Sequence, residues 1–281
     1  MVTAIVSQTS VRQSLIMRSL ENPWPQAPAS PETRTVQSVS RAFVALRTLA
    51  QAGRPMSLSD IARRIGVSKP STYHLLRTLA LERAVTRTND GLYELGWGLW
   101  ELGSSVVRSN DLARIARFHL DQLSEQTGEA VLLSILEGHA VLYLDRGQAS
   151  AGFELIANVG RRSSLHGNAS GKVLLAHAPA TFIDEVLATP LRSFTTNSIT
   201  DPGELRAELE RVRAAGHAVC WQEQELGMSS VGVPIRDHAG DVVAALAVAG
   251  PATRVNESTA ATLVDLLEAE AEAISAGLGP R

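Results

Sequence analysis

The spacing of apolar residues changes along this chain, and each change marks a different kind of structure. From about 36 to 52, Val39, Ala42, Phe43, Leu46, Leu49 and Ala50 recur three and four apart, which predicts a helix stopped at Gly53 before Arg54-Pro55. Leu58, Ile61, Ala62 and Ile65 repeat that spacing in a shorter helix. Ser57 or Ser59 can cap it by accepting from an orphan backbone N–H, and Gly66 can close it in the left-handed conformation. Val67 fills the corner. Ser68 then caps a second helix with Pro70 in its first turn, where a missing N–H does no harm. Thr72, Leu75, Leu76 and Leu79 of this helix share an inward face. Pro70, Tyr73, His74 and Arg77 lie opposite, with Ser68, Lys69 and Ser71 at the N-terminal end. Val85 to Leu95 reads as a hairpin around Asn89-Asp90-Gly91, a turn that tolerates positive φ.

From Trp97 to Thr127 the pattern stays helical, interrupted at Gly98 and Gly103, and Gly128 ends it. This stretch is expected to be linker helices. Trp97, Leu99, Trp100 and Leu102 are too apolar for an exposed linker, so either a partner chain or the chain's own domain should bury them. After Gly128 short β-rich runs appear at 130–136, 140–145 and Phe153–Asn158. Helical segments follow at about 167–177, 180–188 and 201–215, then strands near 217–223, 229–236 and 242–249, and a last helix at about 256–277. Two strand groups separated by helices predict an α+β domain, one antiparallel sheet with helices on a face.

Helix, glycine turn, helix and hairpin make a winged helix-turn-helix, whose second helix meets base edges and phosphates. The candidate DNA-binding set is Ser68, Lys69, Pro70, Ser71, Thr72, Tyr73, His74 and Arg77. Two amphipathic helices in an ordinary bundle share the helix–Gly–helix string but not the wing or the capped polar face. Charge agrees with the first reading. The chain carries a net −3, yet residues 34–95 hold ten Lys/Arg against four acids, leaving −9 for residues 96–281. A basic module joined to an acidic one is the footprint of a DNA-binding domain with a separate sensing or assembly domain.

The length of 281 residues accommodates one to two domains with a sizeable core. A single cysteine, Cys220, excludes an intramolecular disulfide framework and a Cys-rich zinc site. No signal-peptide pattern or membrane-length apolar run is present, so a cytoplasmic location without membrane contact is expected. Residues 1–33, with Pro23, Pro25, Pro28 and Pro31, read as a loose tail.

Three places in the second half carry candidate chemistry. Residues 165–176 tempt a phosphate-loop reading, which fails because three residues separate Gly167 from Gly171 and Val173 follows Lys172. A helix N-terminus rich in small residues remains; it suits a small carboxylate, or it merely lets a helix pack closely on a sheet. Cys220 and His166 form a thiol–imidazole pair only if the fold joins them; a lone buried Cys is usually a small hydrophobe. His139, Asp145, His177, His217, Glu223, Glu225 and His238 show no metal-ligand spacing and are expected to be mostly solvated. Neither a cofactor nor a metal site is expected.

Three blocks resemble the IclR-type bacterial transcriptional regulators over roughly residues 35–278. They are the winged helix with Ile61-Ala62-Arg63 and Ser71 through Leu79, the run Leu165 through Ala176, and the stretch from Gly216 through Glu225, Gly227, Ser230, Val233-Pro234-Ile235 and residues 244–251 to Arg254. With the tail at 1–33 and the linker helices at 97–127 read above, the resemblance gives a winged helix-turn-helix at 34–96 and implies a GAF-like effector domain at 128–281. It implies a non-enzymatic regulator that binds double-stranded DNA at a pseudo-palindromic operator, as a homodimer or a dimer of dimers. It places the small-molecule effector against a concave sheet beside His166, Asn168, Ala169, Ser170, Cys220, Met228, Ser230, Ala247 and Ala249.

This chain departs from a glyoxylate- and pyruvate-responsive relative at three of those positions. The relative has an acid at Cys220 and serines at Ala247 and Ala249, so a less polar, larger effector is expected here, an organic or aromatic acid. Many relatives carry Arg at His74, which leaves open whether His74 meets a base or the backbone. The alternatives are a sequence-tolerant DNA binder with a filled C-terminal core, or a small-molecule enzyme whose N-terminal domain is incidental.

Overall fold

The computed structural model describes residues 36–108, 111–147 and 159–278. The expected tail and the expected strand at Phe153–Asn158 lie outside them. Chain contacts divide the molecule into two compact units between Asn110 and Asp111. The stretch expected to be linker is therefore shared between the two.

The first unit holds α1 (Gln37–Ala52), α2 (Leu58–Ile65), α3 (Lys69–Leu81), β1 (Val85–Arg87), β2 (Tyr93–Leu95) and α4 (Trp97–Arg108). Ser57 accepts from the Asp60 N–H at the start of α2. Gly66 takes φ +67 at its end, a backbone conformation that L side chains rarely adopt. Ser68 accepts from the Ser71 N–H at 3.4 Å to open α3. β1 and β2 pair antiparallel with Val85 opposite Leu95, and Met56 adds reciprocal 2.8 Å backbone bonds with Tyr93. Ala45, Leu49, Ile61, Leu76, Val85 and Tyr93 form a small core. Leu76 is fully buried, a burial worth about 1.5–3 kcal/mol for such a side chain.

The second unit is built on a six-stranded antiparallel sheet of order β5-β4-β3-β8-β7-β6. Its strands are β3 (Ala130–Glu137), β4 (Ala140–Gly147), β5 (Arg162–Ser163), β6 (Ala218–Trp221), β7 (Met228–Arg236) and β8 (Val242–Pro251). Helices lie on both faces rather than one, which corrects the expectation from sequence. α5 (Asp111–Thr127) and α9 (Glu257–Gly277) pack against Val131, Leu133, Val231, Val233, Leu246 and Val248. α6 (Ala169–Ala176), α7 (Ala180–Leu187) and α8 (Pro202–Ala215) belong to the other core, with Leu132, Tyr143, Ala218, Cys220 and Ala245. Burial on both faces explains the near-continuous apolar runs of β3 and β8. The faces differ in size: β7 and β8 present large aliphatic residues to α9, but Ser230, Gly232, Ala245 and Ala249 to the α6 side.

Candidate DNA-binding and effector sites

The outward face of α3 is polar and accessible. Ser68, Lys69, Pro70, Ser71, Tyr73, His74 and Arg77 are all exposed. Thr72 is not: it is fully buried, and its hydroxyl donates to the Val67 carbonyl at 3.4 Å. It fastens the turn, so seven of the eight candidates form the accessible face. The Ser68 hydroxyl donates to Ser71 Oγ at 2.9 Å, and the Tyr73 ring meets His74 edge-on at 5.7 Å. The neighbouring hairpin holds Arg87 over the Tyr93 ring, 5.8 Å from its centroid. On α4, Trp97, Trp100, Leu102 and Val106 are each about 67–77% exposed, so the first unit does not bury them.

On the α6 face, the strand register sets Cys220 beside Ser230 and Ser230 beside Ala249. Ser230 Oγ accepts from the Ala169 N–H at 3.2 Å, and Cys220 Sγ donates to the Gly167 carbonyl at 3.1 Å. A Cβ on Gly232 would lie 3.3 Å from the Cβ atoms of both Ala169 and Ala247, so α6 sits close against the sheet there. Ala169, Ser170, Cys220 and Ala247 are at most 3% exposed, and Met228 is half-buried at the strand end. Burial pushes the Cys220 thiol up to about 12, and the nearby Glu223 carboxylate adds to the effect. This is a neutral thiol rather than an activated nucleophile.

His166 and Asn168 are occupied elsewhere. His166 Nε2 contacts the Arg192 carbonyl at 2.9 Å and its ring lies beside Phe194; burial lowers its proton affinity. His166 and Cys220 bond to different carbonyls, those of Arg192 and Gly167, and Cys220 is a buried small side chain as its lone occurrence suggested. Asn168 caps α6 by accepting from the Gly171 N–H at 2.9 Å, and its amide donates to Ser163, Ser164 and Gln224.

Sequence reasoning missed the charges beneath this face. Lys172 is 1% exposed, and its ammonium donates to Glu223 at 2.6 Å, Glu208 at 3.2 Å and the Val219 carbonyl at 3.1 Å. Glu223 is thus buried and paired, and Asp145 is paired with Arg117, so neither is solvated as expected. The signal for Lys172 was its place in Gly171-Lys172-Val173-Leu174-Leu175-Ala176, a helix with no polar face to receive it. Tyr143 was also missed. It is buried on the Cys220 side, is hydrogen-bonded to Ser163, and is pushed up to about 12, chiefly by burial. Among the described residues, no group of three or more His, Cys, Asp or Glu could hold a metal ion.

Two family models match this chain: the IclR helix-turn-helix domain over residues 38–88, and the bacterial transcriptional regulator IclR C-terminal domain over residues 104–276. The chain belongs to the IclR family. It is 32% identical over 249 residues to the HTH-type transcriptional regulator BhcR of Paracoccus denitrificans, covering 88% of each chain. The crystal structure of Thermotoga maritima IclR superposes with a TM-score of 0.73 at 33% identity, over 87% of this chain and 99% of that one. An IclR homolog from Microbacterium hydrocarbonoxydans, solved in complex with 4-hydroxybenzoate, gives 0.77 at 30% identity over 86% and 98%. This IclR-family chain is a DNA-binding transcriptional regulator. Among the described residues, no helix is long and apolar enough to cross a membrane.

Proposed function

We propose that this regulator acts as a homodimer that reads a pseudo-palindromic duplex with α3 and changes its grip when a small organic or aromatic acid binds the α6 face of the second unit. The observation that carries the reading is the outward face of α3. Lys69 and Arg77 stand exposed on it beside donors from Ser71, Tyr73 and His74. Ammonium and guanidinium groups placed this way neutralise phosphates and fix the register of a helix in the major groove, while the shorter side chains reach base edges. Two such helices engage successive grooves roughly 34 Å apart. The exposed apolar residues of α4 favour a second copy as the partner that completes the reader.

The effector half of the reading draws support from the Microbacterium relative's complex with 4-hydroxybenzoate and from the small residues Cys220, Ser230 and Ala249 aligned across β6, β7 and β8. Binding there requires α6 to part from the sheet, because its residues are closed against it. A ligand that binds the parted arrangement better shifts the equilibrium by its differential affinity, typically ~1–3 kcal/mol.

The tight contact at Gly232 favours a second reading, a DNA binder with a filled second unit and no effector. A thermal-shift screen of the purified protein against aliphatic and aromatic carboxylic acids separates the two. A ligand held only by the folded state raises the melting temperature by mass action. A dose-dependent rise supports the sensor; a flat response across the panel supports the effectorless binder.

A further inference from the structure

Beside Cys220, one oxygen lacks the partner that burial demands. Glu223 Oε2 is a buried side-chain polar atom with no hydrogen-bond partner, and no other is found among the described residues. The residue is 7% exposed, and its other oxygen, Oε1, is held by Lys172 at 2.6 Å. The main chain around it is fixed as well. Ser198 Oγ donates to the Glu223 carbonyl at 2.6 Å and Thr195 Oγ1 does so at 3.1 Å. With its main chain held, the carboxylate can turn out to water only by giving up its bond to Lys172. A buried polar atom left in this state is costly, and a ligand donor relieves that cost.

The surrounding charges indicate what kind of donor fits. Lys172 spends its protons on Glu223, Glu208 and the Val219 carbonyl, and Arg211 Nη2 binds the second oxygen of Glu208 at 2.5 Å. Two cations face two carboxylates, so the cluster is balanced and calls for no further cation. A neutral donor completes it.

Resting on the sensor reading above, we propose that Glu223 is an effector-contacting residue and that its free Oε2 accepts a hydrogen bond from a hydroxyl group on the effector. The acid then enters with its hydroxyl toward Glu223 and its apolar body against Cys220, Ala247 and Ala249. A hydrogen bond to a charged acceptor favours a hydroxylated acid over its deoxy analogue by on the order of tenfold to a hundredfold. Occupation of this oxygen is transmitted through Lys172 to Glu208 on α8, which links ligand binding to the seating of α6.

The test is calorimetric titration of the full chain with acids that differ by one hydroxyl: the three hydroxybenzoates against benzoate, and 2- and 3-hydroxybutyrate against butyrate. Wild-type protein is expected to prefer at least one hydroxylated member by tenfold or more. Glu223→Gln keeps an acceptor for Lys172 but puts an N–H donor where Oε2 was, and should erase the preference. Glu208→Gln perturbs the same lysine without touching the free oxygen, and should keep it. Equal affinities within every pair in the wild type, which needs no variant, overturn the assignment while leaving the sensor reading intact. So does a preference that Glu223→Gln leaves unchanged or that both variants abolish. No binding by any member overturns the organic-acid reading together with this one.

Discussion

Arg117 of α5 donates to Asp145 of β4 at 2.8 Å, on the face of the sheet opposite the one where Tyr143, two residues earlier on β4, lies with Cys220. In a regular strand residues two apart share a face. Here the register with β3 shifts, pairing Ser134 with Tyr143 but Leu133 with Asp145, and leaves Leu144 as the extra residue, which packs toward α5 and α9. The bulge lets one strand touch both the candidate effector face and the helix that begins at the boundary between the units. Arg117 further binds Asp121 at 2.5 Å and the Arg146 carbonyl at 3.3 Å, so it gathers α5 and the end of β4.

Arg117→Ala should therefore loosen the coupling between effector and DNA more than either binding step alone. An exposed pair of this kind contributes little to stability, ~0–1 kcal/mol. The expected outcome is unchanged affinity for each ligand separately and a several-fold smaller effect of effector on DNA affinity, measured by anisotropy with and without ligand. An unaltered coupling factor would remove this contact from the route.

Lys172→Met should be among the most damaging single changes in the second unit. It leaves Glu223, and in part Glu208, buried without a counter-charge, a loss of about 3–5 kcal/mol. Urea denaturation reads the change directly; a loss under about 1 kcal/mol would mean the carboxylates find water or protons instead.

Cys220 should behave as a buried, protonated thiol. Its proton affinity is raised from 9.0 to about 12 in the folded chain, so the stability tied to it is complete below pH 9 and declines as pH rises toward 12. Tyr143, raised from 10.0 to about 12, acts in the same direction. Folded protein is expected to resist iodoacetamide at pH 8 and to react once unfolded in urea. Rapid labelling of the folded chain would show that the site opens to solvent.

Thr72 and Arg77 should separate the two faces of α3. Thr72→Val removes one hydroxyl bond inside the turn and should cost about 1 kcal/mol of stability with little change in DNA affinity. Arg77→Ala should weaken binding to all sequences and flatten the salt dependence by about one unit. An unchanged salt slope would remove Arg77 from the phosphate contacts.

Most elements could be read from the chain because their signals are local. Gly66, the Ser57 and Ser68 caps, Gly91 and the two-residue alternation in β7 each specify backbone through nearby atoms. β5 escaped notice because its two residues, Arg162 and Ser163, take their strand character from pairing with Leu142 and Val141. The second helical layer escaped because an apolar run such as Val242–Gly250 does not say how many helices cover it. At the candidate effector site, the small residues were legible, but Lys172, Glu208 and Glu223 come together across α6, α8 and the segment after β6, a meeting that spacing along the chain does not encode.

The central claim, a dimeric reader of a two-fold site, is tested most directly by selecting bound duplexes from a random DNA pool with the purified full chain. The account predicts enrichment of one pseudo-palindrome whose half-sites lie about one helical turn apart, with enrichment lost in Arg77→Ala. A pool that stays random, or that yields only an unrepeated half-site, would contradict it.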